Sequence, residues 1–219
     1  MQGVILLGAG GHAKVVLEML QLTQTKVLGV SCPLLWAQKV QQWRGVAVLG
    51  DDDVLTSYNP QQVKLVNGIG MMPQSQARYA LFNKARQAGF EFINLVHPSA
   101  VVSPSVRLGQ GVQIMAGAVI QADSNIADNV IINSRALVEH DCVIAAHSHI
   151  APGAVLCGQV TVAEQVFVGA GATVIQGIKM GAGAVVGAGT VVVKDLAAYA
   201  TVRGGSALVR LSHAISGEE

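Results

Sequence analysis

An aliphatic residue recurs at every sixth position of the second half of the chain, from Val102 to Val192, without interruption. A period of six fits neither an α-helix, which repeats every 3.6 residues, nor an alternating strand, which repeats every two. It fits a short strand followed by a corner. Three such units would close one coil of about 18 residues, and the sixteen positions would build about five coils of a parallel β-helix.

The side chains around this repeat suit a narrow interior. The position two residues before each aliphatic is usually small or aliphatic, as at Ala118, Cys142 and Ala154, and Phe167 is the only aromatic residue between positions 99 and 194. We therefore expect Cys142 and Cys157 to be inward fillers. Because a solenoid buries each coil only on its neighbours, its ends need caps. The first half of the chain is one candidate, and residues 196–211 are the other.

The first half has the pattern of an α/β unit. Short apolar runs alternate with segments of helical spacing, which predicts a small, mainly parallel sheet. Predicted strands cover residues 4–7, 27–30, 64–67 and 90–95, and predicted helices cover residues 13–22 and 75–88. In the second helix the apolar face is Ala77, Leu81 and Ala85, which places Arg78 on the solvent side. The boundary falls near Pro98, giving domains of residues 1–95 and 96–219.

Composition excludes several classes of partner. A formal net charge of +1 with 12% charged residues gives no reason to expect nucleic acid or an anionic membrane surface as a partner. No stretch approaches the roughly 20 apolar residues of a membrane span, and the N-terminus lacks the basic region of a secretory signal. Three cysteines are too few for a disulfide scaffold. We expect a cytoplasmic protein with neither membrane nor nucleic acid as partner.

A glycine-rich turn joins the first predicted strand to the first predicted helix. The sequence Gly-Ala-Gly-Gly-His-Ala of residues 8–13 permits close backbone approach, and the following helix N-terminus offers free N–H groups to a phosphate. The alternative is a purely structural turn. A dinucleotide site would place an acidic residue after the second strand, where Ser31 and Cys32 stand instead. This disfavours NAD and leaves a nucleotide diphosphate open.

A second polar cluster lies inside the repeat. Asn133, Arg135, Glu139, His140, Asp141, His147 and His149 fall within seventeen residues. A neutral imidazole at His140 could take a proton from an attacking amine or hydroxyl, and a neighbouring carboxylate, Glu139 or Asp141, would favour its charged form. The alternatives are solvated corner residues, or a zinc site of His140, His147 and His149 shared between subunits as in gamma-class carbonic anhydrases. We expect no metal.

Over nearly its full length the chain resembles the bacterial nucleotide-sugar acetyltransferases of the NeuD/PglD type, particularly the N-acetyltransferases of bacillosamine and perosamine pathways. The matching segments are GAGGHAKVV (residues 8–16), NGIG (67–70), the helix around Arg78, GFEFINLVHPSAVVSPSVRLG (89–109), IINSRALVEHD (131–141) and HSHIAPGA (147–154). This resemblance implies a Rossmann-like domain followed by a left-handed β-helix. It also implies a homotrimer with acetyl-CoA bound between adjacent β-helices.

The resemblance assigns roles to individual residues. It implies that His140 is the general base, that Asp141 is the acid beside it, and that Asn133 belongs to the catalytic site. The implied coenzyme-binding residues are His149, Ala170 and Ala188, and the implied nucleotide-sugar-binding residues are Gly10, Gly11, His12 and Gly70. Ser31 and Cys32 replace aspartates that the family carries near the nucleotide base. The family's C-terminal Gly-Val-Pro-Ala turn is here Gly-Gly-Ser-Ala, residues 204–207.

These residues lead to one expected activity: transfer of acetyl from acetyl-CoA to the amine of a nucleotide-linked 4-amino-4,6-dideoxy sugar, with His140 as general base, in polysaccharide biosynthesis. Two alternatives stay open. One is an O-acetyltransferase of the sialic acid type, and the other is a non-catalytic trimer that binds a nucleotide sugar.

Overall fold

The computed structural model describes residues 2–73 and 75–204 of the 219-residue chain. An N-terminal α/β unit is followed by a left-handed parallel β-helix, which confirms the expected fold class. Strands are numbered β1 to β23 and helices α1 to α3 in chain order.

The N-terminal sheet has five strands in the order β3-β4-β2-β1-β5. Its strands are β1 (Gly3–Leu7), β2 (Val27–Ser31), β3 (Gln42–Trp43), β4 (Val46–Gly50) and β5 (Val63–Asn67). All neighbours pair in parallel except β3, which runs antiparallel to β4 at the edge. The helices are α1 (Gly11–Leu22), α2 (Pro33–Ala37) and α3 (Ala77–Gln87), and Asp52–Ser57 forms a 3-10 helix.

The buried face of α3 is rotated by one residue from the predicted face. Arg78, Phe82 and Ala85 are its buried residues, whereas Ala77 is exposed. The prediction of a solvated Arg78 was therefore wrong, since its side chain is only 3% exposed. Phe82 stacks on Phe92 with ring centroids 4.5 Å apart, and burial of this aromatic pair outweighs the exposure of the smaller Ala77.

The predicted strand over residues 90–95 does not form as one element. Phe92 makes a single parallel bridge to Leu65 of the N-terminal sheet. Leu95 and Val96 form the first short strand of the β-helix instead, where the Leu95 amide donates to the Val112 carbonyl at 2.9 Å. The chain thus passes from one sheet system to the other within a few residues.

Three parallel sheets make the walls of the β-helix, and each strand is two residues long. Sheet 1 contains β6 (Leu95–Val96), β9 (Gln113–Ile114), β12 (Ile131–Ile132), β15 (His149–Ile150), β18 (Phe167–Val168), β21 (Val185–Val186) and β23 (Thr201–Val202). Sheet 2 contains β7 (Val101–Val102), β10 (Val119–Ile120), β13 (Leu137–Val138), β16 (Val155–Leu156), β19 (Thr173–Val174) and β22 (Val191–Val192). Sheet 3 contains β8 (Arg107–Leu108), β11 (Asn125–Ile126), β14 (Val143–Ile144), β17 (Thr161–Val162) and β20 (Lys179–Met180).

The sixfold repeat is the inward position of these strands. Every repeat residue from Ile114 to Val192 is at most 2% exposed, and each strand pairs with the strand 18 residues further on, as Ile120 does with Val138. The small position two residues earlier is also interior: Cys142 is fully buried, as predicted. Cys157 does not lie at that position and is only partly buried, because it follows the inward Leu156 and begins a corner.

The corners are stacked by a repeated backbone hydrogen bond. Their second residue adopts the left-handed conformation, at a positive φ of 58° for Asp141 and 61° for His147. The amide of this residue donates to the corner above, as from Asp141 to the Ala122 carbonyl at 3.0 Å. This conformation costs a non-glycine residue about 1–2 kcal/mol. The coil-to-coil hydrogen bonds hold the corner backbone in it, and the corner side chains therefore keep fixed directions.

The N-terminal unit packs against sheet 1. Leu95, Met115 and Ile131 point outward from the β-helix and join the core formed by the N-terminal sheet and α1. At the other end, Leu196 packs against the β-helix core and Thr201–Val202 adds the last strand of sheet 1, while the predicted C-terminal cap from residue 205 onward, with most of the Gly-Gly-Ser-Ala turn, lies outside the described residues. Within the described part of the chain, no helix is long and apolar enough to cross a bilayer.

Ile144 and Val143 provide a matched test of the narrow core. Ile144 is fully buried, whereas its strand neighbour Val143 is 46% exposed on sheet 3. We expect Ile144→Ala to lower the free energy of unfolding by about 2–5 kcal/mol, since the prism cannot collapse around a cavity, and Val143→Ala to change it by less than about 0.5 kcal/mol. Urea denaturation measures both values, and equal losses would contradict the assigned core.

Candidate active site

The N-terminal sheet opens a crevice between β1 and β5. In the observed strand order, β2 lies on one side of β1 and β5 on the other, and ligands of open α/β sheets bind where the order reverses in this way. The two segments at this crevice are residues 8–12, where β1 leads into α1, and the loop of residues 68–70. The Gly68 amide donates to the Leu7 carbonyl at 2.8 Å, which holds the second loop against the end of β1.

The predicted nucleotide-sugar residues lie together at this crevice. A Cβ atom on Gly10 or Gly11 would meet no described atom within 4 Å, so both glycines face open space, while a Cβ on Gly70 would lie 3.2 Å from His12 Cβ. The helix α1 begins at Gly11, and its first turn carries no carboxylate. The N–H groups of this turn have no side-chain cap and are therefore available to an anion.

Gln113 of the β-helix fixes the tautomer of the His12 ring, and burial keeps the ring neutral. Its Nε2 lies 2.7 Å from Gln113 Oε1, and Gln113 Nε2 donates to the Asn67 carbonyl at 2.7 Å. Because the amide nitrogen of Gln113 is used as a donor, its oxygen accepts from His12 Nε2–H, which leaves His12 Nδ1 as an acceptor. Burial, with a smaller effect from the positive charge of Arg78, lowers the pKa of His12 to about 4.

The predicted coenzyme residues line one elongated cleft along sheet 1. His149, Ala170 and Ala188 border a cavity of about 470 Å³. Ala170 and Ala188 occupy corners in successive coils that lead from sheet 1 to sheet 2. Met71, Met72 and Pro73 of the N-terminal unit form the facing wall. The cleft is thus built from both domains.

His149 is held by hydrogen bonds at both ring nitrogens. Asn133 Nδ2 lies 3.0 Å from His149 Nε2, while Asn133 Oδ1 accepts from the Ser134 amide at 2.8 Å, which fixes the orientation of the side-chain amide. His149 Nε2 is therefore the acceptor, and Nδ1–H donates to the Met71 carbonyl at 3.2 Å. Burial lowers the pKa of His149 to about 4, so the ring is neutral at pH 7.

His140 and Asp141 form a hydrogen-bonded pair at another corner, where sheet 2 leads into sheet 3. His140 Nδ1 lies 2.7 Å from Asp141 Oδ2, and both side chains are about half exposed, at 51% and 52%. The imidazole lies over Gly158 of the next coil, where a Cβ would stand 2.7 Å from ring atoms. Glycine at this position is therefore required for the ring's placement.

The structure separates two groups that the sequence places in one cluster. Asn133 contacts His149 at the corner between sheets 1 and 2, and His140 lies at the opposite edge of sheet 2. In residues 2–73 and 75–204, no group of three or more His, Cys, Asp or Glu side chains is placed to hold a metal ion. Both nitrogens of His149 are already used, which removes it from the zinc set considered above.

Two residues that shape the site have weak sequence signals. Gln113 was missed, although it is a polar residue whose outward neighbours on the same wall, Leu95 and Ile131, are apolar. Gly158 was also missed, because its requirement arises from a ring on the preceding coil. Ser31 is buried and its Oγ donates to the Asp51 carbonyl at 2.9 Å, so its side chain is occupied within the protein.

Comparison with known proteins places the chain among acetyltransferases. The family model of the PglD N-terminal domain matches residues 3–85, and that of the bacterial transferase hexapeptide (six repeats) matches residues 123–158. A mutant of perosamine N-acetyltransferase from Caulobacter crescentus, solved with CoA and GDP-perosamine, is 44% identical, with a TM-score of 0.84 over 92% of this chain and 93% of that chain. The chain belongs to the NeuD/PglD-like family of nucleotide-sugar acetyltransferases.

Two further structures extend this comparison. The acetyltransferase domain of PglB from Neisseria gonorrhoeae, solved with acetyl coenzyme A, is 36% identical, with a TM-score of 0.83 over 93% of this chain and 96% of that chain. WeeI from Acinetobacter baumannii, at 23% identity and a TM-score of 0.82 over 93% of this chain and 97% of that chain, shows the fold alone. No curated protein gave a match. The resemblance to the family is confirmed, while the roles of individual site residues stay predictions.

The buried neutral histidines make stability depend on pH. Unfolded histidines take up protons near pH 6.5, but His12 and His149 resist protonation down to about pH 4 in the folded protein. The unfolded state therefore binds more protons in this window, and stability falls as the pH is lowered. We expect a loss of about 2 kcal/mol per histidine between pH 7 and 5.

Urea denaturation at pH 7, 6 and 5 measures this slope. We expect His12→Gln and His149→Gln each to remove a substantial part of it, since glutamine does not titrate. An unfolding free energy that stays constant from pH 7 to 5 would contradict the assigned neutral state of these rings.

Proposed function

We propose that the protein transfers acetyl from acetyl-CoA to the amine of a nucleotide-linked 4-amino-4,6-dideoxy sugar. The observation that carries the proposal is the exposed His140–Asp141 pair, with 2.7 Å between Nδ1 and Oδ2, in a family whose Caulobacter member was captured with both CoA and GDP-perosamine. Activity in the cytoplasm, in polysaccharide biosynthesis, is part of the same proposal.

The substrates occupy the two clefts described above. The nucleotide diphosphate lies at the N-terminus of α1, where Gly10 and Gly11 leave space for it and the N–H groups of the first turn bind its oxygens. Neutral His12 adds no positive charge to this site, and its Nδ1 is left as a hydrogen-bond acceptor. Acetyl-CoA lies along His149, Ala170 and Ala188.

The chemistry is a direct transfer with one proton relay. Asp141 holds the Nδ1–H of His140, so the Nε2 lone pair faces outward and accepts a proton from the amine as its nitrogen attacks the thioester carbonyl. The carbon–sulfur bond then breaks, and the departing CoA thiolate takes this proton from His140. Asp141 stabilises the intervening imidazolium. Such a base accelerates a reaction by about 10²–10⁴-fold.

A homotrimer would bring the two separated groups together. The outward positions of sheet 2 are almost all aliphatic, namely Val101, Val119, Leu137, Val155, Thr173 and Val191, whereas sheet 3 presents Arg107, Asn125, Val143, Thr161 and Lys179. Partly exposed apolar rows of this kind mark contact surfaces. We propose that sheet 2 faces the axis of a threefold assembly.

This arrangement accounts for the distance between the base and the coenzyme cleft. His140 lies at the edge of sheet 2 that adjoins sheet 3, and the Ala170 and Ala188 corners lie at the edge that adjoins sheet 1. When three sheet-2 faces surround one axis, each edge meets the opposite edge of a neighbour. The base of one subunit then faces the coenzyme of the next, and a monomer is inactive.

His140 is the proposed general base. We expect His140→Ala to lower acetyl transfer by about 10²–10⁴-fold while the melting temperature changes little, because the ring is half exposed. The matched control is His97→Ala, a loop histidine whose Nδ1 accepts from the Ser99 amide, which we expect to retain activity within about twofold.

Release of CoA thiol measures the effect against a panel of GDP-, UDP- and dTDP-linked 4-amino sugars and free sialic acid. Release with a nucleotide amino sugar supports the proposed acceptor. Release with sialic acid alone favours the O-acetyltransferase, and binding of ligand without release favours the non-catalytic trimer. A His140→Ala variant as active as the wild type would remove His140 as the base.

Sheet 2 is the proposed interface of the trimer. Leu137→Glu places a charge on the apolar row of sheet 2, and we expect it to convert the trimer to monomers and abolish transfer. Val143→Glu places the same charge on sheet 3 and should leave the trimer intact. Light scattering coupled to size-exclusion chromatography measures the mass of each variant. A wild type that runs as a monomer would contradict the assembly.

Mixed trimers separate shared chemistry from simple loss of stability. Subunits with His140→Ala keep an intact coenzyme cleft, and subunits with Ala170→Trp keep the base but have a filled cleft. Each variant alone should be inactive, and co-refolded mixtures should recover part of the activity if the base and the cleft come from different subunits. Mixtures that stay inactive would place both groups in one chain.

A further inference from the structure

The segment of residues 67–73 forms a wall of both clefts. Gly70 stands against His12 at the nucleotide crevice, since a Cβ atom added to Gly70 would lie 3.2 Å from His12 Cβ. Directly after it, Met71 and Met72 line the coenzyme cleft, and the Met71 carbonyl accepts from His149. A displacement of this segment would therefore change both clefts at once.

One buried side chain holds the segment in place. Arg78 Nη1 donates to the Ile69 carbonyl at 2.7 Å and to the Asn67 carbonyl at 3.2 Å. Arg78 Nε donates to the Asn129 carbonyl, at a corner of the β-helix, at 3.3 Å. A single guanidinium thus links α3, the segment and the β-helix.

The charge of Arg78 has no nearby carboxylate. Among the described residues, no Asp or Glu oxygen lies within 4.0 Å of it, and its buried Nη2 has no hydrogen-bond partner. Burial of such a cation costs several kcal/mol, and apolar residues of similar volume often stabilise a fold as well or better. Fold stability alone is therefore a weak reason for an arginine here.

The field of this cation reaches both clefts. Burial is the main cause of the lowered pKa of His12, of His147 and of His149, and the positive charge of Arg78 adds a smaller lowering effect on each. Both proposed substrates carry diphosphates, so an uncompensated cation between their clefts favours their binding as well as fixing the wall.

We propose that Arg78 is a positioning residue that preorganises the shared wall of residues 67–73, so that its loss weakens ligand binding in both clefts together. This inference rests on the proposed function only for the identity of the two ligands. With Arg78 present, the wall is already ordered and each ligand binds without ordering it for the other. Without Arg78, the first ligand orders the wall for the second, and binding becomes cooperative.

The test compares arginines of the same helix. Arg78→Met removes all three hydrogen bonds and the charge, and Arg78→Lys keeps the charge and part of the hydrogen bonding. Arg86 is the matched control, because it also lies on α3 and donates to a backbone carbonyl, that of Phe90 at 2.9 Å, but within the N-terminal unit. Calorimetric titration with CoA, and separately with GDP, UDP and dTDP, measures binding.

We expect Arg78→Met to weaken the binding of CoA and of the preferred nucleotide by about tenfold or more. Arg78→Lys should recover part of this affinity, and Arg86→Met should bind both ligands within twofold of wild type. In Arg78→Met alone, saturating nucleotide should tighten CoA binding several-fold. Hydrogen exchange at the amides of residues 68–71 should accelerate. In transfer assays KM should rise for both substrates, with kcat changed less than threefold, because saturating ligands restore the wall.

Several outcomes would overturn the inference. If Arg78→Met binds CoA within twofold of wild type and only its melting temperature falls, the role of Arg78 is structural. If Arg78→Met does not fold, Arg78→Lys decides by the same binding and exchange measurements. A wild type that binds CoA but acetylates nothing would refute the proposed function alone, whereas a wild type that binds no CoA would overturn both.

Discussion

The narrow interior of the β-helix is the constraint on which the rest of the structure depends. One aliphatic side chain and one small or aliphatic residue per wall fill each coil, from Ile114 to Val192, and larger side chains would cause strain. This packing sets an 18-residue spacing between paired strands and stacks the corners directly over one another. Chemistry is consequently confined to the corners and to outward positions, where side chains do not compete for the core.

The three sheets of the β-helix present different surfaces. Sheet 1 carries the N-terminal unit on Leu95, Met115 and Ile131 and the coenzyme cleft beside them, while sheet 2 presents an apolar row. The edges of sheet 2 carry the His140–Asp141 pair on one side and the cleft corners on the other. The spatial separation of base and cleft within one chain is thus a direct consequence of the triangular cross-section, and a threefold assembly resolves it.

The junction between the domains is polar at its centre. His12, Gln113, Asn67 and Asn129 form a continuous hydrogen-bonded chain that ends at His147, and Arg78 spans it. Polar groups removed from water are costly unless they are paired. Their mutual pairing fixes ring tautomers and loop positions, so the junction contributes geometry to both clefts as well as adhesion between the domains.

The sequence by itself determined the sixfold period, the inward residues, the glycine turn and the His140–Asp141 pair, because each follows from local spacing or adjacent residues. It could not determine the direction of Arg78, since the one-residue rotation of α3 depends on Phe82 stacking on Phe92. Nor could it determine that Asn133 contacts His149 rather than His140 within one chain, or that Gly158 makes room for His140. The stacking joins a helix to a later segment of the same unit, and the other two contacts join residues about one coil apart, so only the packed tertiary structure decides which side chains meet.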